Sequence, residues 1–394
     1  MEKIVVTGFG VKIPGALTKT QFKSVLENGI CTHEIIQTKG KNGIHQMVAG
    51  VIPDDFHIIS GKTYKRYPRL SRLAMAASDD AIEMAQIIFA KDQRVAVILG
   101  TSAGGLRELE RNSENFKEYE TFPIESVSLG DPHTLSSSVA SHIGVKDQSY
   151  TITTGCAASS DAILLGKLLL ETGQADVCVV GGSDACLGDW ISLGFLKLKS
   201  IQLDEDIRNT GVPFSLKHKG FVLAEGAGIL ILERENEAKS RKANILGTIT
   251  NGYANNDSLP MYQMDVSGQG MAKALKRSIG DYIPTYINSQ ALGLKNNDTV
   301  EYKVHQSLFG SNVPITSIKG MIGHPFGASG AIQIISSLIS MEYGFIPPTI
   351  KTQADGYQDL PIVFETQYQE IKHVAITTHG NGGNNTCVLI SRYH

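Results

Sequence analysis

The stretch Thr151-Ile152-Thr153-Thr154-Gly155-Cys156-Ala157-Ala158-Ser159 passes from β-branched residues through one glycine into a run of helix formers. Thr151 to Thr154 has strand propensity, Gly155 permits a tight turn, and Ala157 to Thr172 predicts a helix closed by Gly173. Cys156 is therefore expected at a helix N-terminus, where unpaired N–H groups and the positive end of the helix dipole favour an anion and lower the pKa of a thiol. A thiolate so placed can attack a thioester. The helix is apolar on most faces (Ala162, Ile163, Leu164, Leu165, Leu168, Leu169, Leu170), which predicts burial. Cys156 also reads as a small buried hydrophobe, a common condition of free cysteine, and these residues alone leave both readings open.

Outward from this stretch, short β-branched runs recur at Lys3 to Thr7, Val95 to Leu99, Val177 to Val180, Gly228 to Leu232 and His373 to Thr378. They read as buried strands. Helix-length stretches lie between them, at Leu70 to Phe89, Gly268 to Ile279 and Ala328 to Tyr343, and the alternation predicts α/β layers. Tyr253 to Gln269, rich in Asn, Asp, Gly and Ser, reads as a surface connection. Val313 to His324 repeats the logic of Thr151 to Cys156, a strand running into a glycine-containing turn that opens a helix; a fold duplicated in halves would do this.

Two motifs compete for the chemistry. Gly100-Thr101-Ser102-Ala103-Gly104 after an apolar strand matches the G-x-S-x-G nucleophile elbow, with His379 available as a later histidine. Five-residue matches arise easily in Gly/Ser-rich loops, and no lipase-type oxyanion motif precedes this one. Gly8-Phe9-Gly10 invites a dinucleotide reading, but Ile13 stands where the third glycine belongs, so a nicotinamide cofactor is not expected.

Composition excludes several classes. Of 394 residues, 42% are apolar and 19% charged, which predicts a globular chain rather than a disordered one. A net charge of −3 without a basic run lacks the electrostatic footprint of nucleic-acid binding. The five cysteines are scattered without a C-x-x-C pair, which suits a reducing compartment and gives no metal site. Cys178, Cys186 and Cys387 lie in or beside strand-like runs and read as packing residues. Met1 to Thr7 lacks a signal-peptide h-region, and no apolar run reaches the length of a membrane span. A cytoplasmic protein is expected.

Taken in order, the motifs resemble the β-ketoacyl-acyl-carrier-protein synthases of the fatty-acid elongation and polyketide type, within the thiolase superfamily. The landmarks are Val5-Val6-Thr7-Gly8-Phe9-Gly10, Gly100 to Gly105, Thr154-Gly155-Cys156-Ala157-Ala158-Ser159, Gly220 to Gly228, Lys319 with Gly323-His324-Pro325-Phe326-Gly327-Ala328-Ser329-Gly330, and Gly380-Asn381-Gly382-Gly383. The likeness runs nearly end to end. It implies a thiolase-like αβαβα sandwich of two similar halves, 1–235 with Cys156 and 236–394 with Gln290, Lys319 and His324. It also implies an acyltransferase: Cys156 takes an acyl group from the phosphopantetheine of an acyl carrier protein, His324 donates a hydrogen bond to the extender thioester, and Lys319 supports charge and histidine position. No cofactor of the protein's own is implied. A homodimer is the family's usual assembly, and a heterodimer with a homologous ketosynthase is the alternative.

Two positions depart from the family pattern. Where the family has Asn-Ala-His-Gly-Thr, this chain has Asn288-Ser289-Gln290-Ala291-Leu292, with Asp298 and Glu301 in the expected supporting places. Gln290 can donate a hydrogen bond to an enolate oxygen but cannot act as acid or base near pH 7, so malonyl decarboxylation is expected to be slow relative to acyl transfer. The family's gating phenylalanine is Asn381 here, with His379 two residues before it; the backbone N–H of Asn381 would still join that of Cys156 in an oxyanion hole. The basic residues Lys62, Lys65, Arg66, Arg69 and Arg72 fall where family members meet the acidic carrier protein, a position suited to electrostatic steering. Three functions follow: a condensing enzyme, a non-condensing transacylase, and a partner subunit of the chain-length-factor kind, with retention of Cys156 against the last and an α/β-hydrolase using Ser102 more remote.

Overall fold

The first strand, β1 (Ile4–Lys12), is buried along its whole length and carries Gly8 and Gly10 on the side that meets helix α1 (Arg69–Ala85). A Cβ on Gly10 would sit 2.0 Å from the Ala77 carbonyl oxygen, so these glycines exist to let a helix lie against the strand, not to cradle a cofactor. The computed structural model describes residues 2–40, 43–56, 66–217, 219–261 and 263–393. Helix α1 ends at Ala85, short of the predicted Phe89, because Gln86 turns into the left-handed region at φ 49°.

The first half continues with β2 (Val95–Gly100), β3 (Ser149–Ile152), β4 (Val177–Ala185) and β5 (Leu223–Arg234). The second supplies β6 (Gly247–Asn256), β7 (Tyr286–Asn288), β8 (Ile315–Thr316), β9 (His373–His379) and β10 (Asn384–Ser391). Among the described residues the hydrogen-bonded order is β8-β7-β9-β10-β6-β1-β5-β4-β2-β3. This order is a mirror about the β6–β1 junction, and the pairing senses repeat: β2–β3 and β7–β8 are parallel, as are β2–β4 and β7–β9, while β4–β5 and β9–β10 are antiparallel. The halves thus share one topology, which sequence could only suggest. They meet through a short ladder, Val5 opposite Thr248 and Val6 opposite Gly247. The strand β6 runs on through Tyr253 to Asn256, residues expected in a loop, because β10 pairs with it as far as Asn256. A hairpin, Glu34–Gly40 with Gly43–Gly50, attaches to β5.

Helices α2 (Ala158–Glu171) and α5 (Ser329–Tyr343) touch each other and strands of the sheet, forming the middle layer. Helix α3 (Gln269–Ile279) packs on β6 and β10, and α4 (Lys295–Phe309) packs on α3. Every residue of α5 from Ser329 to Met341 is buried, as a helix without a polar face demands. Each central helix is preceded by a single 3-10 turn, Gly155–Ala157 before α2 and Phe326–Ala328 before α5, and the two turns are in contact. The duplicated topology therefore brings Cys156 of one half against the His324–Phe326 segment of the other.

Candidate active site

Gly155 adopts φ +65°, which turns the chain after β3 and places Cys156 in the 3-10 turn, two residues before α2 begins. The turn is tied down by Asp161 in the first turn of α2, which accepts from Thr154 Oγ1 at 2.6 Å and from Thr386 Oγ1 of β10 at 2.5 Å. Cys156 Sγ lies 3.1 Å from His324 Nε2. The expectation of a lowered thiol pKa is corrected here: burial pushes the Cys156 thiol up to about 12, the nearby Asp184 carboxylate adds to this, and Lys319 only partly opposes it. The helix dipole acts on a residue that stands before the helix and is half-buried, with protein atoms crowding the sulfur, and there desolvation of the anion wins. The resting group is a neutral thiol facing a neutral imidazole, since burial, with Lys319 and His379 nearby, pushes His324 well below its ordinary range.

His324 Nδ1 is 3.1 Å from Ser329 Oγ, the first residue of α5, so the ring is oriented by that hydroxyl. Lys319, expected to position the histidine, instead donates from Nζ to Gln333 Oε1 at 3.0 Å. Burial brings its ammonium down to about 7. Gln333 in turn donates to the carbonyl oxygens of Asn288 and Ser289, so Lys319 braces the end of β7.

Gln290 is fully buried beyond the end of β7. Its Nε2 donates to the His379 carbonyl oxygen at 3.4 Å, and its Oε1 has no hydrogen-bond partner. The amide thus leaves its acceptor unpaired, while the bond to His379 uses only one of its two N–H groups. Asp298 accepts the backbone N–H groups of Leu292, Gly293 and Phe214 and so holds the loop that follows Gln290. Burial raises its carboxyl to about 6. Glu301, one turn along α4, accepts from His379 Nε2 at 2.9 Å, from Ser289 Oγ at 2.7 Å and from Thr377 Oγ1 at 3.0 Å. Thr377 and His379 are alternate residues of β9 and face the same helix.

Cys156, Gln290, His324, His379 and Asn381 line one pocket of about 160 Å³. The backbone N–H groups of Cys156 and Asn381 donate to no protein oxygen among the described residues, and the Asn381 carbonyl lies beside Gly155. Asn381 is exposed and also borders an outer cleft of about 490 Å³ with Leu198, Ser200, Met264, Leu294 and Lys295, so it stands at the mouth between cleft and pocket. On the far side Ser102, Phe195 and Phe326 separate the pocket from a third cavity of about 480 Å³, lined by Leu106, Cys186, Ile191 and Gly194. A larger cleft of about 650 Å³ near Gln86 and Arg241 holds none of these residues.

Ser102 Oγ is buried without a partner, so nothing activates it as a nucleophile. Its loop wraps Asp184, which accepts Thr101 Oγ1 at 2.6 Å and the N–H groups of Ser102, Ala103 and Gly327. The hydrolase expectation fails on this geometry. Asp184 went unnoticed in the sequence, where a lone acid at the end of an apolar strand was the available signal, and Ser329 was legible only as part of the glycine-rich motif, without a role of its own.

Of the expected docking residues, Arg66 has 70% of its side chain exposed and faces Glu125. Arg69 does not belong to a surface: it is 5% exposed and its guanidinium is spent on Glu225, Asp54 and the Ile52 carbonyl. Lys62 and Lys65 lie outside the described residues.

Family models match the chain over residues 1–238 (β-ketoacyl synthase, N-terminal domain) and 245–353 (β-ketoacyl synthase, C-terminal domain). The chain is 29% identical to a putative polyketide β-ketoacyl synthase 1 of Streptomyces cyaneus, covering 99% of this chain and 98% of that one. Among solved structures, the ishigamide ketosynthase/chain length factor superposes with a TM-score of 0.90 at 23% identity, over the full length of both chains. A type II polyketide synthase acyl-carrier protein in complex with its ketosynthase bound to the hexaketide gives 0.89 at 24% identity, again over both full lengths. At these identities the two structures establish the fold.

Proposed function

Because this chain belongs to the β-ketoacyl synthase family, we propose that it takes an acyl group from the phosphopantetheine of an acyl carrier protein onto Cys156 and passes it to an extender unit in a specialised fatty-acid or polyketide pathway. The observation that carries this reading is the 3.1 Å approach of Cys156 Sγ to His324 Nε2 inside a pocket open to the outer cleft. As the sulfur attacks the carrier thioester, its proton passes to His324 Nε2. The tetrahedral oxygen takes hydrogen bonds from the N–H groups of Cys156 and Asn381. The carbon–sulfur bond to phosphopantetheine then breaks and the leaving thiolate recovers the proton. The apolar cavity behind Phe195 and Phe326 suits the acyl chain, and the outer cleft suits the arm that delivers it.

Assembly with a like subunit fits the edge of the sheet. Strand β3 closes the order and its outer side is unpaired among the described residues, with Tyr150 44% exposed, an edge open to pairing with a second chain. A silent partner subunit is disfavoured by the intact Cys156–His324 contact. The test is intact-protein mass spectrometry with acyl- and malonyl-loaded carrier proteins: acylation at Cys156 and a new carbon–carbon product support the reading, and a chain that never gains an acyl mass removes it.

A further inference from the structure

The pocket has no imidazole at position 290, but the fold brings one from another strand. His379, at the end of β9, is 2% exposed, and the glycine after it lies against Cys156, where a Cβ on Gly380 would be 3.3 Å from Sγ. Its partner Glu301 is an acceptor to three side chains that can all donate. Burial works against ionisation of Glu301, but the hydrogen bonds from His379, Ser289 and Thr377 hold it below its usual range. With that carboxylate ionised, the proton of the ring sits on Nε2. The other nitrogen, Nδ1, is buried and has no partner, and so is Gln290 Oε1 in the same pocket. A buried polar atom left unpaired carries an uncompensated desolvation cost, which a bound substrate group would remove. The Gln290 amide is turned onto the main chain of His379, so position 290 supports the strand end that carries the ring.

We propose that His379, with Glu301 as its counter-charge, is a catalytic residue beside Cys156 and His324, its protonated ring donating from Nδ1 to the carbonyl oxygen of the extender thioester. This rests on the ketosynthase reading above. The bond between the malonyl α-carbon and its carboxylate carbon breaks, CO2 leaves, and the electron pair becomes an enolate whose oxygen keeps the hydrogen bond from Nδ1. The α-carbon attacks the acyl thioester, the carbon–sulfur bond to Cys156 breaks, and the thiolate takes a proton from water through His324. His379 retains its proton throughout. The expectation of slow decarboxylation considered Gln290 alone; the dyad supplies the ionisable donor that glutamine lacks.

The test uses the full chain with malonyl-loaded bacterial acyl carrier protein, reading acetyl-carrier formation by mass and Cys156 acylation in parallel. His379→Gln, which keeps a donor toward Glu301 but no imidazole, is expected to slow decarboxylation about 100-fold and acylation far less. Glu301→Gln removes the counter-charge and is expected to slow decarboxylation about tenfold, with acylation affected far less. Decarboxylation at the unmodified rate in His379→Gln or in Glu301→Gln, or parallel loss of both activities in either, overturns the dyad. Acylation without decarboxylation in the unmodified protein overturns the dyad alone, whereas absence of acylation overturns the ketosynthase reading beneath it.

Discussion

His324 Nε2 and Cys156 Sγ face each other at 3.1 Å with both groups held neutral, the thiol by burial at about 12 and the imidazole far below its ordinary range. The nucleophile is thus generated during attack and is not stored as a thiolate. Alkylation of Cys156 by iodoacetamide should rise about tenfold per pH unit from pH 7 to 9, the slope of a thiol far below its pKa. A plateau across that range would mean a stored thiolate. Cys156→Ala should abolish both alkylation at this site and acylation by carrier thioesters.

Arg66 and Arg69 should behave differently despite three residues' separation. Charge reversal at Arg66, together with Lys65, should weaken carrier-dependent transfer through association and its salt dependence, leaving small thioesters unaffected. Arg69→Ala should instead unfold the protein more easily, by roughly 3 kcal/mol, because Glu225 is 1% exposed and loses a paired guanidinium. Chemical denaturation of the two variants distinguishes them; an Arg69→Ala protein of normal stability would show that Arg107, 3.0 Å from Glu225, suffices.

The strands and central helices were legible because burial on both faces writes continuous apolar runs, and Cys156 because a strand, a glycine and a helix follow one another. The mirrored strand order was not, since it rests on pairings between residues as far apart as Val5 and Thr248. The state of the thiol was misread for a physical reason: a helix dipole is visible in sequence, whereas desolvation is a property of everything packed around the sulfur. Arg69 was misread likewise, as its partner Glu225 lies 156 positions away. Gln290 and His379 were both noticed, but only the fold turns the amide of the first onto the main chain of the second.

Burial brings Lys319 down to about 7. Between about pH 7 and the ordinary lysine range the unfolded chain holds a proton that the folded chain has shed, so this residue's contribution to stability rises with pH across that window. Lys319→Met removes that dependence. The variant's stability relative to the unmodified protein should be more favourable at pH 6 than at pH 9, by roughly 2–3 kcal/mol. The cost of leaving Gln333 Oε1 without its donor is common to both pH values and cancels. Equal differences at the two pH values would show that the ammonium keeps its charge when buried.

If the apolar cavity beyond Phe195 holds the acyl chain, its volume should set the length accepted, and Gly194 offers a way to change that volume without disturbing the catalytic pocket. Gly194 lies inside the helix Asp189–Lys197, borders that cavity, and would carry a Cβ with no atom within 4 Å. Gly194→Leu should therefore fold well, gaining up to about 1 kcal/mol from helix propensity, while its side chain fills part of the cavity. Acetyl transfer to Cys156 should persist, because the Cys156–His324 contact is untouched. Decanoyl transfer should fall about tenfold or more, the loss expected when a hydrophobic pocket can no longer take a methylene it once held. Competition between acetyl- and decanoyl-loaded carrier proteins, read by the mass added to Cys156, gives the ratio directly. An unchanged ratio would place the acyl chain elsewhere, with the outer cleft beside Asn381 as the remaining space that opens onto the pocket.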